Sequence, residues 1–233
     1  LMSVTMTQAW FPMHSEVWNA PTWYLSSLTF ATATLPYVLP SIAALNPSQL
    51  VKTGWWIWLF YVIPKLAYCY DLKTWSLVEG VAREHPNIGL FNVQRFNPMY
   101  CTFEILLGIV ACRIVMLHDR KTNALSTILP SFLLVAAMAV RGLGLFPMSD
   151  LLVRSLFFVP VFLRLLMATH RNTVNGVSDP LVKVLNSKFL VWLGNLVFPI
   201  FVVHGPIGQI FYKKVVAEKL WGQVLMGPQN FAL

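Results

Sequence analysis

Six apolar runs, each long enough to cross a lipid bilayer as a helix, dominate this chain. Because helical residues rise ~1.5 Å each, about 20 of them cross the hydrocarbon core, and backbone in lipid must satisfy its own hydrogen bonds. The sequence therefore predicts an all-α, polytopic transmembrane helix bundle with about six spans. An incomplete seventh span is expected to begin near Trp221. The six runs cover approximately residues 22–45, 54–70, 98–117, 125–145, 151–168 and 188–212.

The composition excludes an ordinary soluble domain. Apolar residues make up 57% of the 233 residues and charged residues only 11%, whereas soluble domains carry about 25% charged residues. A net charge of +8 would suggest nucleic acid in a soluble protein. Here most Lys and Arg lie at the ends of apolar runs, as at bilayer interfaces, so the predicted partner is the lipid bilayer and not nucleic acid. The three cysteines are scattered without disulfide or metal-ligand spacing, and no metal site is predicted.

The chain is expected to form a single membrane-embedded domain over residues 1–233, because it has no internal repeat and no low-complexity tract. It opens in a tryptophan-rich stretch and stops within an apolar one, so it is expected to be a piece of a longer multi-pass protein. Residues 71–97, the longest connection, are predicted to be solvated or interfacial. We call the side of the N-terminal lead-in side 1; a slight Lys/Arg excess assigns side 2 to the cytoplasm or its equivalent.

Charged residues inside the apolar runs are concentrated toward side 1, and this pattern predicts a polar cavity open to that side. The arginines also have a structural interpretation, because long side chains within a turn of a span end reach the headgroups. That interpretation is favoured for Arg113, Arg141, Arg154 and Arg164. The residues in the side-1 half of their spans are Lys65, Glu104, Arg141, Arg154 and His204.

Lys65 and Glu104 are predicted to approach each other. Each lies five or six residues, about 7.5–9 Å, below the side-1 boundary, in consecutive antiparallel spans. An isolated charge is costly at that depth, whereas a pair neutralises itself. We expect contact directly or through one polar group. In the alternative, Lys65 reaches the interface alone and Glu104 stays neutral against backbone carbonyls.

His204 lies near the end of the last run and is followed by Gly205 and Pro206. Hydrocarbon does not tolerate a titratable ring without a partner, so His204 is expected to face protein or a polar cavity. The Gly-Pro pair predicts irregular backbone around it. The alternative is a histidine that is hydrogen-bonded within the bundle and has no further role.

Three stretches, in order along the chain, carry recognisable motifs. The last is LGNLVFPIFVVHGP (193–206), similar to the pattern LGK-[IL]-SYSLYL-x-HWP through Leu193, Gly194, Phe198, Phe201, His204 and Pro206. The first is NAPTWYLSSLTFATATLPYVLP (19–40), similar to N-x-P-x-W-[SFY]-LS followed by an apolar span. The middle one is PMYCTFEILLGIVACR (98–113), similar to RL-x-EFLLG-[IM]-LLA with Glu104 and Gly108 aligned. Together they resemble the acyltransferase-3 family, membrane proteins that move acyl groups onto sugars and other alcohols.

The resemblance implies the C-terminal portion of an O-acyltransferase without its first spans. The expected reaction moves an acyl group, which we expect to be acetyl, from acyl-CoA to a hydroxyl of a carbohydrate, lipid or other small acceptor. No tightly bound cofactor is expected. His204, Asn19 and Glu104 would be the catalytic groups, and Trp23 and Ser26 would contact the acceptor. The expected contacts of the coenzyme A phosphates are Arg113, Arg120, Lys121 and Arg171.

The departures from the family favour a second hypothesis. Val197 and Phe198 stand where the family often has Ser-Tyr, and the family's proposed catalytic histidine lies upstream of Leu1. The alternative is therefore a non-catalytic structural or pigment- or lipid-contacting subunit of a larger membrane complex. In such a complex, other membrane subunits would be partners, and His204 could ligate a magnesium tetrapyrrole.

Overall fold

The computed structural model describes residues 2, 4–15, 22–75, 87–117, 122–145 and 148–207. Within these ranges all regular structure is helical. A short 3₁₀ turn, Gln8–Trp10, comes first. Helix α6 contains a π-helical segment, Val153–Phe158. The helices are α1 (Trp23–Ala43), α2 (Pro47–Asp71), α3 (Ile88–Phe96), α4 (Pro98–Leu117), α5 (Leu125–Gly142), α6 (Asp150–Val174), α7 (Pro180–Leu185) and α8 (Lys188–Ile207).

Three stretches of the described chain are long and apolar enough to cross a membrane: Ile88–Leu117, which joins α3 and α4, Leu125–Gly142 and Asp150–Val174. Helices α1 and α2 are 21 and 25 residues long, but they are not among the helices that combine the required length and apolar character. In α8 the apolar stretch Lys188–His204 is shorter. The predicted all-helical class is thus confirmed, and three of the predicted spans have the length and apolar character that a membrane requires.

Helix α4 is the central element, since it packs against α1, α2, α3 and α6. Two apolar clusters lie at opposite ends of this packing. Toward side 1, α2, α3 and α6 bury Tyr68, Cys69, Phe91, Leu151 and Leu152. Toward side 2, α1, α2 and α4 bury Ile42, Leu50 and Val110. Between these clusters, one charged residue from each of α2, α4 and α6 lies in a middle layer: Lys65, Glu104 and Arg154.

The N-terminus of α2 is defined by local hydrogen bonds. The Asn46 side chain accepts from the Gln49 backbone N–H at 2.9 Å, and the Gln49 side chain accepts from the Asn46 N–H at 3.0 Å. Pro47 occupies the first helical position, where its missing N–H costs nothing. Because α2 begins so soon after α1, the two helices are antiparallel, which places Lys65 toward side 1.

Two stretches of backbone differ from the sequence-based expectations. In the connection predicted to be solvated or interfacial, residues 88–96 form α3, which buries Phe91 and Phe96. Phe91 packs against Tyr68 of α2, and Phe96 packs against Trp23 of α1. The predicted irregular backbone around His204 is wrong, because α8 continues through Gly205 and Pro206 to Ile207. A proline removes one helical hydrogen bond, and this one falls in the last turn of the described helix.

Candidate functional site

Four side chains from α2, α4 and α6 meet in the middle layer, and we call Tyr61, Lys65, Glu104 and Arg154 the charged cluster. The Tyr61 hydroxyl donates a hydrogen bond to Glu104 Oε1. Arg154 Nη2 lies 2.7 Å from Glu104 Oε2 and forms an ion pair. Lys65 is only 2% exposed, and its Nζ lies 3.2 Å from the centroid of the Tyr61 ring. Each oxygen of the Glu104 carboxylate therefore accepts a hydrogen bond from a residue of the cluster.

Helical spacing explains two of these positions. Tyr61 and Lys65 are four residues apart on α2, so they share a face of the helix. Glu104 is six residues after Pro98, ~9 Å along the axis of α4, which matches the depth of Lys65 in the antiparallel helix. Because α2 and α4 pack against each other, the two faces meet.

The π-helical segment positions Arg154. In π geometry the carbonyl of residue i pairs with the N–H of residue i+5, and the residue five positions after Ser155 is Pro160, which has no N–H. The indole Nε1 of Trp58 donates to the Ser155 carbonyl at 3.0 Å instead. This bond attaches the segment that carries Arg154 to α2, one turn below Tyr61.

The predicted approach of Lys65 and Glu104 is confirmed in its indirect form. One polar residue, Tyr61, lies between them: its ring contacts Lys65 and its hydroxyl contacts Glu104. The interpretation of Arg154 as a residue that reaches the headgroups is wrong. Its guanidinium turns toward Glu104, because the attraction of opposite charges is stronger in a medium of low dielectric.

Two cavities flank these residues. A small one, of about 20 Å³, is lined by the charged cluster together with Gln94, Arg95, Tyr100, Cys101 and Leu151. A second cavity, an apolar groove of about 450 Å³, runs along α2, α4 and α6 toward side 2. Of the five residues predicted to form a polar cavity, Lys65, Glu104 and Arg154 thus line a small one, with room for about one water molecule, whereas Arg141 and His204 do not.

His204 lies near the end of α8, and its side chain is exposed. Its Nδ1 lies 2.6 Å from the Phe201 carbonyl oxygen, so the ring has the predicted polar partner, but within its own helix. The exposed side chain is not enclosed by the described part of the protein, as the prediction required. Phe201 contacts the His204 ring at 5.7 Å and the Tyr24 ring at 5.5 Å. These contacts place the His204 end of α8 beside the N-terminus of α1, on side 1.

The expected acceptor contacts have structural roles. Trp23 packs against Phe96, with the ring centroids 4.9 Å apart. Ser26 is 1% exposed, and its Oγ accepts from the Ala9 N–H at 3.3 Å. Asn19, the third predicted residue at this end, lies outside the described residues. A series of ring contacts links Trp23 to His204, by way of Tyr24 and Phe201. Ser26 instead faces the N-terminal turn.

The predicted coenzyme A contacts lie toward side 2. Arg113 Nη2 donates to the Ala43 carbonyl at 3.0 Å, which caps the C-terminus of α1. Arg171 is half-buried in the last turn of α6. Arg120 and Lys121 lie outside the described residues. The arrangement therefore places two of the four cations at the side-2 ends of α4 and α6.

Sequence reasoning missed a buried polar network at side 2. Thr127, Asn172 and Asp179 are each 0% exposed. Asp179 Oδ2 accepts from Thr127 Oγ1 and from Asn172 Nδ2, both at 2.6 Å. Asp179 Oδ1 accepts from the backbone N–H of Leu181 at 2.8 Å. The Asp-Pro pair at 179–180, a helix-start signal, could have identified this carboxylate as the cap of α7, but not its partners on α5 and α6.

The Asp179 network is expected to make the protein sensitive to acid. Burial raises the pKa of Asp179, but the hydrogen bonds from Thr127, Asn172 and the backbone outweigh it and hold the pKa below its usual 3.8. A depressed pKa stabilises the folded state above the ordinary pKa, and the contribution disappears as the pH falls through the folded value. Asp179→Ala should cost about 1–3 kcal/mol at neutral pH.

Thermal unfolding in detergent between neutral pH and pH 3, with Asp71→Ala as the exposed control, would measure this effect. The difference between wild type and Asp179→Ala should shrink below about pH 4. A difference that is equal at both ends of the range would contradict the assignment.

Within the described ranges no group of three His, Cys, Asp or Glu side chains could hold a metal ion. Comparison with protein families, with curated proteins and with solved structures finds no match to this chain.

Proposed function

We propose that this chain is part of a multi-pass membrane O-acyltransferase. It would move an acyl group, by expectation acetyl, from acyl-CoA to a hydroxyl of a carbohydrate, lipid or other small acceptor. Under this proposal α1, α2, α4, α5, α6 and α8 are six spans of one membrane domain. The support is the motif order together with the ring contact between Tyr24 and Phe201, which brings the first and last motifs to the same side.

The hydrogen bond of His204 is the observation that carries the proposal. A carbonyl oxygen can only accept, so the contact between Nδ1 and the Phe201 carbonyl requires the proton on Nδ1. In the neutral ring, Nε2 then has a free lone pair. Because the side chain is exposed, this nitrogen can reach an acceptor hydroxyl at the side-1 surface.

His204 would act as the general base of the transfer. Nε2 takes the proton of the acceptor hydroxyl while the oxygen attacks the thioester carbonyl. The new C–O bond forms and the C–S bond breaks, so the acyl ester and the coenzyme A thiolate are the products. His204 then returns its proton to the thiolate. Tyr24 and Phe201 would form an aromatic wall for the acceptor, and Asn19 remains a candidate donor to the developing oxyanion.

The other predicted residues would act at a distance from this step. Arg113 and Arg171, with Arg120 and Lys121, would meet the coenzyme A phosphates from side 2. Glu104 holds Tyr61 and Arg154, so we assign it a positioning role, in which it fixes α4 against α2 and α6.

The test is release of free thiol from acetyl-CoA by the complete purified protein with a panel of sugars, lipids and small alcohols. A transferase should release thiol only when an acceptor is present, and the acceptor should gain one acetyl group by mass spectrometry. Thiol release that is equal with and without acceptor would indicate hydrolysis. No release with any acceptor would favour the second candidate.

The second candidate is a non-catalytic subunit of a larger membrane complex. It is favoured because three polar residues expected at the site make structural contacts within the bundle. Ser26 accepts a hydrogen bond from the Ala9 N–H, and Arg113 donates one to the Ala43 carbonyl. Glu104 forms an ion pair with Arg154. Purification under mild detergent should then yield stable partner subunits. A tetrapyrrole absorbance band that His204→Ala removes would assign His204 as a pigment ligand.

A further inference from the structure

The apolar groove between α2, α4 and α6 has the size of a ligand site. Its volume of about 450 Å³ lies within the usual range of about 300–1,000 Å³ for small-molecule pockets. Its inner end is formed by Trp58, Leu107 and Leu156. Its far end, toward side 2, is formed by Val51, Ile114 and Met167. The groove therefore follows the helices for about 10–16 Å, an elongated shape that suits an alkyl chain.

The inner end of the groove adjoins the charged cluster. Trp58 lies one turn from Tyr61 on α2, and Leu107 lies one turn from Glu104 on α4. The Trp58 indole also bonds the π segment that carries Arg154. A chain lying in the groove would thus end at charged side chains, and an alkyl chain with a polar head would match both environments.

Cations outnumber carboxylates in the charged cluster, where Lys65 and Arg154 lie beside the single carboxylate of Glu104. Tyr61 and Arg154 already occupy the oxygens of Glu104. In the described part of the chain, no carboxylate lies within salt-bridge distance of Lys65, which rests on the Tyr61 ring. Cations at this depth are costly without an anion, so the cluster favours an acidic group.

The Arg154 side chain is accessible to such an acidic group. Its side chain is 45% exposed, and a guanidinium has five N–H donors, one of which bonds Glu104. The cavity of about 20 Å³ admits about one water molecule. An acidic head would therefore bind at the mouth of the cavity on Arg154 and interact with Lys65 directly or through water.

We propose that the groove and the charged cluster form a binding site for one single-chain lipid with an acidic head. The alkyl chain lies in the groove between α2, α4 and α6, and the carboxylate or phosphate binds Arg154 and Lys65. In this orientation the lipid belongs to the side-1 leaflet, and its acidic head lies ~9 Å deeper than the start of α4 at Pro98. The proposal is independent of the transferase chemistry and would hold in a non-catalytic subunit.

Binding of radiolabelled oleic acid to the complete protein in phosphatidylcholine nanodiscs tests this site. Unlabelled oleic acid should compete about tenfold better than oleyl alcohol, which has the same chain without the charge. Competition by oleoyl lysophosphatidic acid against oleic acid decides whether phosphate or carboxylate is the preferred head.

Two matched pairs of variants test the two halves of the site. Lys65→Met should reduce the preference for the acid over the alcohol about tenfold, whereas Lys52→Met, on the exposed side-2 part of the same helix, should not. Methionine suits the buried position, so the fold should survive. Leu163→Trp fills the groove and should abolish specific binding, whereas Leu166→Trp, on the exposed face of α6, should not.

Equal competition by acid and alcohol, together with equal binding by the Leu163 and Leu166 variants, would overturn the proposal. The groove would then be covered by bulk bilayer lipid or by another protein helix. Should Lys65→Met not fold, the Leu163 and Leu166 pair and the alcohol competition still decide the outcome.

Discussion

Under the proposed transferase function, replacement of His204 with alanine in the complete protein is expected to lower the rate of acyl transfer by about 10²–10⁴-fold. This is the usual contribution of a positioned general base. The Nδ1 contact with the Phe201 carbonyl orients the ring so that Nε2 is the nitrogen directed at the acceptor, and the loss should therefore appear in kcat. The measurement is thiol release from acetyl-CoA at saturating acceptor.

His170→Ala is the matched control, because His170 is also exposed but lies at the opposite end of the bundle, in the last turns of α6. It should retain full activity. Both variants should elute and melt like wild type, since neither removes a buried side chain. Full activity in His204→Ala would leave His204 a structural residue and end its assignment as the base.

Glu104→Ala is expected to destabilise the fold by about 3–5 kcal/mol. The substitution leaves Arg154 without its carboxylate partner, and it removes the acceptor of the Tyr61 hydroxyl, through which Glu104 is linked to Lys65. The charge of Glu104 therefore matters more than its volume. Glu104→Gln, which keeps an acceptor for Tyr61 but not the charge, should fall between wild type and alanine. Thermal unfolding in detergent measures the series.

Removal of the partner should recover stability. The double variant Glu104→Leu with Arg154→Met replaces the ion pair by apolar side chains, and such replacements are often neutral. It should therefore melt above Glu104→Ala. Asp71→Ala, an exposed acid at the end of α2, should change stability by less than about 0.5 kcal/mol. Equal melting of the Asp71 and Glu104 variants would show that the charged cluster contributes nothing to the fold.

Several features of this protein follow from the sequence alone. Apolar length and scarcity of charge predict helices in a membrane, because lipid leaves the backbone no other partner for its hydrogen bonds. The third and fourth predicted runs, 98–117 and 125–145, agree with α4 and α5 to within three residues at each end. The proximity of Lys65 and Glu104 was also predictable, because depth is counted along the chain and consecutive helices pack side by side.

The rotation of each helix about its axis and the contacts between distant parts of the chain were decided only by tertiary packing. Tyr61 links Lys65 to Glu104 because of the rotation of α2 about its own axis, which a nearly uniform apolar sequence does not reveal. Arg154 turns inward because the π segment of α6 is held by Trp58. Asp179 is buried because α5 and α6 supply Thr127 and Asn172. Sequence spacing measures depth along one helix, whereas the choice of partner depends on how helices from distant parts of the chain pack together.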